Sequence, residues 1–76
     1  MSITDVRAAL DDGLAGRAAI VRCNLIPVEG GRFQMLDVAL WMPDGSQQAL
    51  SKTFPRGHDM QEAARELGRA AVEVEQ

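Results

Sequence analysis

One histidine, His58, and one cysteine, Cys23, are the side chains here best suited to nucleophilic or metal chemistry. Either role needs imidazole, thiolate or carboxylate groups brought together in space. Cys23 stands in the middle of an apolar segment, where a small thiol serves as core material. His58 instead precedes a helical pattern at a corner of the chain, so the two are not expected to meet. A single cysteine also excludes an internal disulfide and a thiolate metal cluster. The paired carboxylates Asp11-Asp12 diverge on a helix surface, because adjacent helical residues do not share a face. Asp37 is expected opposite Ser51 and diagonal to Arg22, which makes it half of a cross-strand ion pair. A general base there would need burial to raise its pKa, and an open sheet face does not supply it. Gly30-Gly31 lacks the spacing of a phosphate-binding loop. No catalytic residue, metal ligand or cofactor site is assigned, and the chain reads as a non-enzyme.

The stretch FPRGHDMQEAARELG poses a sharper question. Lys52, Arg56 and His58 lie near the start of a helix, where exposed amides and the helix dipole favour anions. However, Asp59 at the N-cap and Glu62 three residues later form a capping signal that occupies those amides from within the chain. Two carboxylates at that end also cancel its partial positive charge. Pro55 and Gly57 are what a sharp strand-to-helix corner requires. The loop therefore reads as a capped hinge.

The elements that must position these residues follow from periodicity. Ser2 with Asp5 suggests a capping box, and Gly16 a stop, for a first helix from Ser2 or Thr4 to about Ala15. Ile3, Val6, Leu10 and Leu14 form its apolar stripe, and Gly13 weakens its last turn by about 1 kcal/mol relative to alanine. Three strands come next. Gly30-Gly31 suits a two-residue hairpin turn between the first two, and Met42-Pro43-Asp44-Gly45 a type I turn with a glycine bulge between the second and third. A second helix runs from about Asp59 to Val74, with Met60, Ala64, Leu67, Ala71 and Val74 as its stripe. Glu62–Arg65 and Arg69–Glu73 are its expected surface pairs. The fold class is α+β: a single domain over residues 1–76, ordered α-β-β-β-α, its three-stranded antiparallel sheet covered by both helices on one face.

The two turns set a register. The first gives pairs Val28–Phe33, Ile26–Met35, Leu25–Leu36, Cys23–Val38, Val21–Leu40 and Ile20–Trp41. The second sets Met42 opposite Ser46, Val38 opposite Leu50 and Asp37 opposite Ser51. Alternation then divides the side chains between two faces. Ala19, Val21, Cys23, Leu25, Leu36, Val38, Leu40, Met42, Leu50 and Phe54 make one apolar face for the helices, with Gln48 and Lys52 at its edge. The other face carries Ile20, Ile26, Val28, Phe33, Met35 and Trp41 among Arg22, Asn24, Asp37, Gln47, Ser51 and Thr53. Two short helices cover one side of such a sheet, so the second face lacks cover. An exposed apolar patch marks a contact surface, and Ile20, Arg22, Ile26, Phe33, Met35, Asp37 and Trp41 are its candidate partner-binding residues.

Size and charge bound the partners. Seventy-six residues with a net charge of −3 bury only about 60% of their unfolded surface, so a protein partner or a homodimer would add stability. An acidic chain has no electrostatic reason to seek nucleic acid or an anionic membrane. No apolar run approaches the roughly 18 residues of a membrane span. MSITDVRAAL shows neither the basic nor the apolar region of a signal peptide, so a cytoplasmic protein is expected.

The α-β-β-β-α order resembles the double-stranded-RNA-binding domain along the whole chain. That family has a Gly-Pro-x-His loop between its first two strands and a Lys-rich start to its second helix. Val28-Glu29-Gly30-Gly31 and His58-Asp59-Met60-Gln61-Glu62-Ala63 occupy those places here, so the resemblance implies topology and transfers no site residue. The chain is also similar in kind to phage-encoded inhibitors of host defence, anti-CRISPR proteins among them. That likeness implies acidic mimicry by Asp5, Asp11, Asp12, Glu62, Glu66, Glu73 and Glu75.

Overall fold

The computed structural model describes residues 2–73, so Val74 and Glu75 lie outside the described residues. Helix α1 spans Ile3–Leu14. The Asp5 amide donates to the Ser2 hydroxyl (3.3 Å) and the Ser2 amide to the Asp5 carboxylate (3.4 Å), the reciprocal cap expected from their spacing. Ala15 ends the helix in the left-handed region (φ 53°), its amide donating to the Asp11 and Asp12 carbonyls. Gly16 follows at φ 74°, one residue beyond the turn it was expected to make. Val6, Leu10 and Leu14 are fully buried. Ile3 does not join them: at 42% exposed it leaves the stripe one turn shorter than its spacing suggests.

Strands β1 (Ala19–Val28), β2 (Phe33–Trp41) and β3 (Gln47–Pro55) form one antiparallel sheet in sequential order. The first turn is a short 3₁₀ segment, Glu29–Gly31, in which Gly30 (φ 67°) and Gly31 (φ 87°) are left-handed. The Arg32 amide closes onto the Glu29 carbonyl at 3.3 Å. Glu29 and Arg32 do not pair as strand residues, so the turn is longer than the two residues expected. Glycine accepts this backbone because it has no Cβ to clash; Glu29 shares it at φ 50°. In the second turn the Met42 amide bonds the Ser46 carbonyl (2.8 Å) and the Gly45 amide the Met42 carbonyl (3.0 Å). Asp44 accepts from the Ser46 hydroxyl (2.6 Å) and amide (2.9 Å), and the hydroxyl bond holds its carboxyl below the usual range.

The β2–β3 register is the one the turn dictates, with Val38 opposite Leu50 and Asp37 opposite Ser51. The β1–β2 register agrees from Val28–Phe33 to Cys23–Val38 and then departs. Arg22 pairs with Ala39, Ile20 with Leu40 and Ala19 with Trp41, leaving Val21 as the extra residue of a bulge. An unpaired residue reverses side-chain alternation beyond it. The pairs Val21–Leu40 and Ile20–Trp41 therefore do not form. Ile20 packs against the core instead of facing outward, and Val21 is 52% exposed instead of lying under the helices.

Helix α2 spans Met60–Glu73. Asp59 caps it, its carboxylate accepting from the Glu62 amide (3.1 Å) and its carbonyl from the Ala63 amide (3.0 Å). Both helices pack on one sheet face: Val6, Leu10, Leu14, Met60, Ala64, Ala71 and Val72 share a core with Cys23, Leu36, Val38, Leu40 and Met42. Leu50 and Phe54 border that core from β3. Two glycines set the spacing between the helices. A Cβ built on Gly13 would overlap the Arg65 carbonyl, and one on Gly68 would come within 2.7 Å of the Leu10 carbonyl oxygen. Gly13 thus lets α2 approach, and α1 runs through it to Leu14. No described helix is long and apolar enough to cross a membrane.

Candidate functional site

The residues with chemical potential stay apart. Cys23 is buried in the core on β1, and burial pushes its thiol pKa up. A raised pKa favours the neutral thiol and not the nucleophilic thiolate. His58 stacks on Phe54 at the opposite edge of the sheet, ring centroids 4.7 Å apart, and the Lys52 ammonium lies 5.6 Å from the same phenyl ring. The Arg56 amide bonds the Arg32 carbonyl at 2.9 Å, tying the corner to the end of the first hairpin. With Asp59 on the first amides of α2, these contacts make the loop a packed hinge. Asp12 and Glu62 both bind Arg65, at 2.9 Å each, so neither is a free carboxylate. Arg69–Glu73, the other expected pair, is not formed. Among the described residues, no three His, Cys, Asp or Glu side chains converge on a metal position.

The uncovered sheet face is the remaining candidate. Pairing and alternation lay out its rows across the three strands: Val28–Phe33–Pro55, Ile26–Met35–Thr53, Asn24–Asp37–Ser51, Arg22–Ala39–Ala49 and Ala19–Trp41–Gln47. The first two rows make an apolar patch at the Gly30-Gly31 end, in which Ile26 is 37% exposed. Trp41 stands alone at the far end, 50% exposed. Between them runs a polar row crossed by an ion pair. Arg22 donates through Nε to Asp37 Oδ2 (2.9 Å) and through Nη2 to Oδ1 (3.2 Å), the fork geometry that fixes both side chains. Beside the pair, the buried Ala39 and the exposed Ala49 continue the row between the guanidinium and the indole. Comparison with protein families, curated proteins and solved structures found no match.

The structure gathers six of the seven sequence-assigned contact residues, Arg22, Ile26, Phe33, Met35, Asp37 and Trp41, on this face. It removes Ile20, which the bulge turns onto the helix side. Neither the Ala39–Ala49 row beside the ion pair nor the division of the apolar strip into two ends is among the features expected from the sequence. Both were legible from the register alone, since Asn24, Asp37 and Ser51 share a row. Two shallow grooves lie on the helix side of the molecule. One is between α1 and the start of β1, and the other runs beside Phe54 and Leu67.

Proposed function

We propose that the chain is a non-enzymatic protein-interaction module whose contact surface is the open sheet face. The observation that carries this reading is the exposed Trp41 on a face that neither helix covers. An indole supplies a large apolar area at low conformational cost, which is why tryptophan is enriched at the centres of interfaces. The Ile26–Met35–Phe33 patch supplies further apolar area. The fixed Arg22–Asp37 pair supplies orientation, because a wrong partner would bury two charges without matching them.

Acidic mimicry by the helices is the weaker alternative, since Arg65 already engages two of the carboxylates it would use. Site-specific photo-crosslinking tests the choice. With the photoreactive residue at Ser51, protein adducts are expected, and Trp41→Ala should abolish them. With it at Asp11 or Glu66, on the helix side, adducts should be absent. Adducts formed only from the helix positions would overturn the proposal in favour of mimicry.

A further inference from the structure

We infer that the open face pairs with the open face of a second copy of this chain, an inference that rests on that face being the contact surface. Two observations and one symmetry argument select this occupant. The first is charge. The face holds one cation and one anion, Arg22 and Asp37, already bonded to each other. Six acidic residues against three arginines sit on α1 and α2, on the far side of the sheet. Two copies meeting by their open faces bring neutral surfaces together. Their acidic helix layers stay several Debye lengths apart, since stacked sheets alone are about 10 Å apart and the screening length is about 8 Å at physiological salt.

The second observation concerns the sheet edges, the other route to self-association. The β1 edge is interrupted by the Val21 bulge and Pro27, and the β3 edge by Lys52 and Pro55. Bulges, prolines and lysines are the features that block strand addition. Face-to-face packing is left as the open route.

The third is register. A two-fold axis lying between the sheets and crossing the strands at the level of Val38 exchanges position 41 with 35 and position 39 with 37. Trp41 of each copy then covers Met35 of the other, a sulfur–aromatic contact. Asp37 of each copy lies over the Ala39–Ala49 row of the other. Because Arg22 pairs with Ala39 across the strands, it comes beside the second copy's Asp37 as well as its own. The two Asp37 carboxylates are offset by about 7 Å along the strand and do not meet head-on. Small alanines opposite a charged pair are what this arrangement requires.

The size of the face sets the strength. Strands of nine or ten residues in a three-stranded sheet give a footprint of about 30 by 14 Å. Two copies therefore cover about 840 Å², about two-thirds of the roughly 1,200 Å² at which standard interfaces begin and the size of a weak, transient contact. The accessible surface of the chain, 4653 Å², is close to the ~4,500 Å² expected of a monomer of this mass. A contact of this size pairs the copies reversibly.

Sedimentation of the full chain from micromolar to millimolar concentration decides it. A monomer–dimer equilibrium with a dissociation constant of about 10–100 μM is expected. Emission from the single tryptophan should shift to the blue as the dimer fills. Trp41→Ala should weaken pairing at least about tenfold. Arg22→Asp and Asp37→Arg should each remain monomeric, and an equimolar mixture of the two should restore a dimer, because each supplies the charge the other needs. Circular dichroism confirms that the variants fold. A wild type that stays monomeric at millimolar concentration overturns self-pairing while leaving crosslinks to a foreign protein from Ser51 as the measure of the contact face. A dimer unaffected by Trp41→Ala, or a mixture that stays monomeric, also overturns the inference.

Discussion

Cys23 shows how environment decides what a reactive residue type can do. It is 7% exposed, and burial raises its pKa more than the Arg7 charge lowers it. In the native protein the thiol should therefore resist a neutral-pH thiol reagent, and it should react once denaturant unfolds the chain. Labelling at the free-thiol rate without denaturant would contradict this. The same shift couples to stability. The folded thiol titrates above the unfolded one, so its contribution is complete below the unfolded pKa of about 8.5 and is lost as pH rises through the folded value. Chemical denaturation followed from pH 7 to pH 10 should show stability falling in that window, and Cys23→Ala should flatten the fall. Asp37, on the open sheet face, is held by Arg22 as half of an ion pair.

At the scale of elements, two small residues at the end of α1 carry opposite predictions. Gly13 is a poor helix former, and propensity alone predicts that Gly13→Ala stabilises by about 1 kcal/mol. The approach of α2 reverses the sign. A Cβ at that position collides with the Arg65 backbone, and forced overpacking costs typically 1–3 kcal/mol. Denaturant unfolding of Gly13→Ala should show a net loss within that range, whereas a gain would mean the helices are free to separate. Ala15 is exposed and carries the left-handed conformation that ends the helix. A residue with a Cβ is strained there, so Ala15→Gly should stabilise by about 0.5–1 kcal/mol. If both variants changed stability in the same direction, the contrast between packing and backbone strain would fail.

For the whole molecule, a net charge of −3 and a face whose only charges cancel leave little to attract a polyanion. Binding to duplex RNA or DNA should be no tighter than about 10⁻⁴ M at physiological salt, the non-specific range. Fluorescence anisotropy with labelled duplexes measures it. Micromolar affinity that falls steeply with added salt would revive the reading that the strand and helix order invites. The expectation turns on where side chains lie and not on topology, because Arg32 and Arg56 flank the sheet end without a lysine cluster beside them.

Local chemistry made most of the architecture legible in the sequence. Ser2 with Asp5, Asp59 with Glu62, Gly30-Gly31 and Asp44-Gly45 are each short signals whose partners lie within a few residues. They fixed both helix starts, the places of both turns and, through the turns, the pairing of β2 with β3 throughout and with β1 as far as Cys23. The face of every residue from Cys23 to Phe54 followed by alternation. The sequence could not place Ile20 and Val21. Both are β-branched and apolar, and which one is buried depends on a bulge stabilised by packing under α1 and against Leu40, far along the chain. Ile3 failed for a related reason, since helical spacing defines a stripe but not how much of it another element reaches. Gly13 is the plainest case: its local cost is a property of the helix, while its value lies in the Arg65 carbonyl of another helix. Contacts within a turn are set by neighbouring residues. Contacts between elements are set by the shape that all of them reach together, and only the tertiary structure decides those.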